Sequence, residues 1–180
     1  APILAALRDL PAELSENGVG YAVVGGVGVV QAGASRSTGD IDVLCDRAGW
    51  VRFKDRARMF DVEIDSATHV RSSIPVDAVF NDDDCGLPFK LPNPLPHRVW
   101  DDSFGVYFLK AETLLELKAA VYISKNSEYG PATAAKDLGD VYAILKAQPS
   151  LRAASTLSRL HPSVRSVVHA VVAELEQGRT

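Results

Sequence analysis

Residues 21–44 read YAVVGGVGVVQAGASRSTGDIDVL. An apolar run, Tyr21–Val24, meets Gly25 and Gly26; a short apolar segment, a polar loop and Asp40-Ile41-Asp42-Val43-Leu44 follow. This order predicts strand, tight turn, short helix to about Gly33, loop and strand. Adjacent glycines permit backbone angles that a Cβ forbids and let another group approach the main chain closely. In the second strand Asp40 and Asp42 share one face, while Ile41 and Val43 take the other. Neighbouring carboxylates each raise the cost of ionising the other. A hard divalent ion such as Mg²⁺ removes that cost, and an all-oxygen donor set suits it. Either feature alone is commonplace in sheets and turns; their succession, thirteen residues apart over 27–39, says more.

The chain has 180 residues, 47% of them hydrophobic, which is enough for a sizeable core. A formal net charge of −4 argues against an obligate, non-specific nucleic-acid binder but allows a local basic patch around a charged substrate. Cys45 and Cys85 lack metal-ligand spacing, and a reducing cytoplasm is the expected location. The sequence shows no charged-then-apolar secretion signal, and no apolar run nears the roughly 20 residues of a membrane span.

Apolar spacing over 2–17 predicts a helix, interrupted by Pro11 and ended by Gly18 and Gly20. Asp46 is a fitting N-cap for a helix over 47–60, with Trp50, Phe53, Ala57 and Phe60 along one face. Residues 61–65 and 74–80 read as strands. The second, IPVDAVF, carries Asp77 among apolar neighbours, where an ionised carboxylate is expensive without a partner. Beside the Asp40-Ile41-Asp42 strand, it would complete a three-carboxylate cluster. The run 81–84 reads as a solvated acidic turn, and 85–98, with four prolines, as a long loop or lid. A strand over 105–109 leads to helices over 111–122 and 132–147. In the latter, Leu138, Val141, Ile144 and Leu145 form the expected buried stripe, leaving Lys136 and Asp140 free to pair. A last helix opening at Pro162 carries a valine stripe that needs a cover.

Gly-Gly followed at this distance by Asp-x-Asp resembles the nucleotidyltransferase (polymerase beta-like) superfamily. Over about 21–146 the pieces are the Gly25-Gly26 turn, Arg36-Ser37-Thr38 before Asp40-Ile41-Asp42, the Val-Asp-Ala-Val-Phe strand, a Leu-x-x-Leu-Lys helix and a Lys-Asp-Leu-x-Asp helix. Together they resemble the small bacterial families that include AbiEii-type toxins of toxin–antitoxin systems. The resemblance implies an α+β fold, a mixed β-sheet flanked by helices with a C-terminal helical extension. It divides the chain into a core over 1–110 and a helical region over 111–180 packed on it. The implied activity is Mg²⁺-dependent transfer of a nucleoside monophosphate from a nucleoside triphosphate to a hydroxyl on a tRNA end, a protein or a small molecule. Asp40, Asp42 and Asp77 would hold two Mg²⁺ ions and carry the chemistry. Gly25, Gly26, Arg36, Ser37, Thr38 and Lys118 would meet the phosphates, with Lys136 and Asp137 in support. The C-terminal helix would contact an antitoxin or a second copy. Many active members have Gly-Ser where this chain has Gly25-Gly26, and their serine hydroxyl contacts phosphate. That difference motivates a rival reading, a catalytically silent binding partner or scaffold; a two-metal phosphodiester hydrolase is a third.

Overall fold

The computed structural model describes residues 1–35 and 37–178. In order, the elements are α1 (Pro2–Glu16), β1 (Tyr21–Val24), α2 (Gly25–Gln31), β2 (Ile41–Cys45), α3 (Arg47–Arg56), β3 (Phe60–Val62), β4 (Ser66–His69) and β5 (Pro75–Phe80). They continue with β6 (Arg98–Asp101), β7 (Val106–Leu109), α4 (Ala111–Tyr129), α5 (Pro131–Ala147), α6 (Ala154–Arg159) and α7 (Pro162–Glu176). The strands form one mixed sheet in the order β3-β4-β5-β2-β1-β7-β6. Only β2–β5 and β1–β7 pair in parallel; the other neighbours are antiparallel. The fold is α+β, and no described helix is long and apolar enough to cross a membrane.

The chain divides into two compact units. The first contains α1, the whole sheet and α3. Strand alternation sends Tyr21, Val23, Ile41, Val43, Cys45, Val76, Ala78, Phe80, Val106 and Phe108 into a core shared with Ala6, Leu7, Leu10 and Leu14 of α1 and with Trp50 and Phe53 of α3. The opposite parity on the central strands is occupied by Val24, Asp42 and Asp77. The second unit contains Val29–Ser35, Cys85–Phe89 and the helices α4 to α7. Within it α4 lies along α5, and α7 packs on both through buried Val164, Val168 and Val171. That is the cover the valine stripe requires.

Several boundaries depart from the sequence expectations. Pro11 does not split α1, which is continuous from Pro2 to Glu16. An internal proline costs about 3 kcal/mol, yet Leu7, Leu10 and Leu14 are all buried on the same face, each worth roughly 1.5–3 kcal/mol. Burial wins. The helix stops at Asn17 because Gly18, at φ +65°, allows a paired closure: Val19 N–H donates to Leu14 O and Gly18 N–H to Ser15 O.

Asp46 caps α3 by accepting from Gly49 N–H, as expected, but the helix ends at Arg56; Ala57 is extended and Phe60 already lies in β3. The single strand expected over 61–65 is instead β3, a turn that leaves Ile64 75% exposed, and β4. The proline-rich segment ends earlier than 98, since Arg98 opens β6, and α4 runs seven residues beyond its expected end at Tyr122.

The turn leading into β3 hangs on one buried side chain. Glu13 of α1 accepts the main-chain N–H groups of Arg58 and Met59, the latter at 3.0 Å. Glu13→Ala leaves both donors without their acceptor and is expected to lower stability by about 2 kcal/mol. Urea denaturation with an unchanged slope would check this; a loss below 0.5 kcal/mol, roughly the floor for one such bond, would contradict it.

Candidate functional site

The sheet brings together two acidic side chains from neighbouring strands and a third from just ahead of one of them. Parallel pairing of β2 with β5 sets Asp42 directly opposite Asp77, and Val24 of β1 and Ser66 of β4 extend that row on either side. Asp40 stands just ahead of β2 on the same parity as Asp42. One carboxylate oxygen from each of Asp40, Asp42 and Asp77 lies within 4.8 Å of the others. Asp40 and Asp42 are half-buried and Asp77 is exposed. The Asp77 pKa is raised above its ordinary value by desolvation, then by the charges of Asp40 and Asp65. Asp65 was not singled out from sequence, where it reads only as a strand end; the signal is its place in the turn before Ser66, opposite Asp77.

Gly25 is fixed by the same cluster. It has φ +64°, and a Cβ built on it would sit 1.9 Å from Asp42 Oδ2. No side chain fits there. Gly26 is buried in the first turn of α2. On the intervening loop, Thr38 Oγ1 lies 3.2 Å from Asp40 Oδ1 and 3.3 Å from Asp40 O, while Ser37 is exposed. Arg36 lies outside the described residues.

The remaining candidates belong to the second unit, and there the structure corrects the helical-face expectation. Asp137 and Asp140 of α5 are not on a solvated face: their side chains are only 6% exposed. Lys118 of α4, itself 13% exposed, places its ammonium 2.9 Å from Asp140 Oδ2 and 3.5 Å from Asp137 Oδ1. Lys125 reaches Asp137 Oδ2 at 2.9 Å, and Lys136 is exposed. The extra length of α4 supplies Lys125, which a helix ending at 122 leaves out of this network.

Two substitutions test these arrangements. Gly25→Ala forces a left-handed backbone that costs about 1–2 kcal/mol in an L-residue and must also push Asp42 aside. A melting temperature equal to that of the wild type would contradict the geometry. Lys118→Met removes the ammonium that Asp140 and Asp137 share, leaving Asp137 with Lys125, and is expected to cost about 2 kcal/mol, with partial recovery in Lys118→Met/Asp140→Asn; full stability in the single variant would show the pairing to be idle.

No protein-family model matches the chain, and no curated protein matches it. Among solved structures it is similar to the antibiotic-resistance factor ANT(2″)-Ia, an aminoglycoside nucleotidyltransferase, whose solution structure reveals substrate-regulated conformation dynamics. The TM-score is 0.55 at 15% identity, covering 98% of this chain and 95% of that one. At that identity the likeness speaks for architecture: the chain has a nucleotidyltransferase-like α+β fold.

Proposed function

We propose that this protein is a divalent-cation-dependent nucleotidyltransferase. The observation that carries the reading is the convergence of Asp42 of β2, Asp77 of β5 and Asp40 just ahead of β2 on one face of a nucleotidyltransferase-like sheet. All donors there are carboxylate oxygens, desolvation and then the charges of Asp40 and Asp65 raise the Asp77 pKa, and a hard cation such as Mg²⁺ offsets both. Asp40 and Asp42 would hold the cation, with Asp77 completing the set. When bound, such ions supply Lewis-acid charge at phosphate oxygens.

In the proposed step an acceptor hydroxyl oxygen forms a bond to the α-phosphorus of a nucleoside triphosphate. The bond from that phosphorus to the bridging oxygen breaks, and pyrophosphate leaves with its electron pair. Asp77, the most solvent-open of the three, takes the hydroxyl proton. Gly25 and Gly26 would bring main-chain N–H groups near the phosphates. For the acceptor, the motif resemblance to AbiEii-type toxins suggests a tRNA end, and the aminoglycoside nucleotidyltransferase neighbour suggests a small polyol or amino sugar.

Incubation with each α-³²P-labelled nucleoside triphosphate, Mg²⁺ and cell extract, followed by separation of RNA, protein and small molecules, tests the reading. Label should enter one fraction and fall at least 100-fold in Asp42→Asn, roughly the loss expected when a transition-state charge stabiliser is removed. Label persisting in that variant would remove the assignment. Absence of any label, together with no Mg²⁺-dependent nucleotide binding, would favour the silent binding partner.

A second expectation concerns Asp77 and pH. Its folded-state pKa is raised, so between the ordinary carboxylate range and that raised value the native state binds more protons than the unfolded chain. Stability without cation therefore falls as pH rises through that window. Asp77→Asn should be at least as heat-stable as the wild type at neutral pH without divalent ions, and gain less from adding Mn²⁺. Lower cation-free stability in Asp77→Asn would contradict the raised Asp77 pKa.

A further inference from the structure

We propose that Thr38 is a positioning residue whose hydroxyl aims the Asp40 carboxylate at the cation, an inference that rests on the transferase reading above. The two carboxylates of the Asp-x-Asp pair are held very differently. Asp42 lies within β2, paired to β1 on one side and β5 on the other, with the β1–α2 turn abutting it at Gly25. Asp40 has none of this. It precedes the first residue of β2, and so no ladder pairing fixes its backbone. Gly39, which joins it to Thr38, has nothing within 4 Å of where a Cβ would be, so packing does not hold that link. The specific contact to its carboxylate is Thr38 Oγ1, 3.2 Å from Oδ1 and 3.3 Å from the Asp40 carbonyl oxygen.

A threonine hydroxyl has one proton to give. Donated to Asp40, it occupies a lone pair of Oδ1, restrains the carboxylate rotamer and leaves Oδ2 open. Phosphate oxygens only accept, so the same proton cannot serve a phosphate at the same time. The structure thus assigns Thr38 to the carboxylate rather than to the triphosphate. Pre-setting Asp40 removes a rotamer cost from cation binding, and a hydrogen bond to a charged acceptor is among the stronger ones.

The test is cation affinity, measured without turnover by calorimetric titration with Mn²⁺ and by Tb³⁺ luminescence. Thr38→Val, which keeps the shape and removes the hydroxyl, should weaken Mn²⁺ binding about tenfold, in line with loss of a hydrogen bond to a charged group. Its cation-free melting temperature should stay that of the wild type. Thr38→Ser should restore affinity, and Thr38→Ala should repeat the loss without adding a second methyl beside the carboxylate. Equal Mn²⁺ affinity in Thr38→Val and wild type, with Asp40→Asn clearly weakened, would overturn the positioning role while leaving the cation site standing. Wild-type protein that binds neither ion would overturn both, and so the two failures are distinguishable.

Discussion

A missing side chain governs the geometry of the first unit. The main chain leaving β1 turns at Gly25 into α2 so close to Asp42 that a Cβ would overlap the carboxylate. The turn is possible because glycine accepts φ +64°, and the carboxylate in turn has no room to swing toward the turn. With β1 paired on one side of it and β5 on the other, Asp42 becomes the fixed point of the cluster. Asp77 inherits its position from that register. Asp40, outside the ladder, depends on a neighbouring hydroxyl instead. One close approach therefore sets two carboxylates, and a side-chain hydrogen bond sets the third.

Strand parity keeps this arrangement affordable in stability terms. Residues that pack on α1 and α3 alternate with those that carry the acidic groups, so the like charges never enter the apolar core. In the second unit charge is handled the opposite way. Asp137 and Asp140 are buried, and Lys118 and Lys125 match them between α4 and α5. Carboxylates gathered from neighbouring strands and carboxylates met by lysines from a neighbouring helix look alike as acidic residues in a sequence, yet they have different physical consequences.

How much of this was legible in the sequence follows from the range of each interaction. The Gly-Gly turn, the Asp40/Asp42 face and Asp77 could be read, because strand alternation has a period of two and an acidic residue in an apolar strand demands an explanation. The Asp46 cap and the helix from Pro162 were equally local. The continuity of α1 through Pro11 is not legible, because the cost of the proline is local while the compensating burial of Leu7, Leu10 and Leu14 is not. Strand β4, with Ser66 and His69 in place of an apolar alternation, is held by pairing on both sides rather than by its own pattern. The α5 face is hidden for the same reason: Asp137 and Asp140 lie off the apolar stripe, and only Lys118 and Lys125 from another helix account for their burial.

The parallel register of β2 and β5 also dictates how the cluster comes into being as the chain folds. Parallel neighbours need a crossover, here built from α3, β3 and β4, so this ladder closes a long loop and bears its entropy. The meeting of Asp42 and Asp77 opposes closure further. The drive must come from the other parity, where Ile41 faces Val76, Val43 faces Ala78 and Cys45 faces Phe80. The acidic centre is thus a non-local pairing, held together by apolar residues on the face it does not occupy.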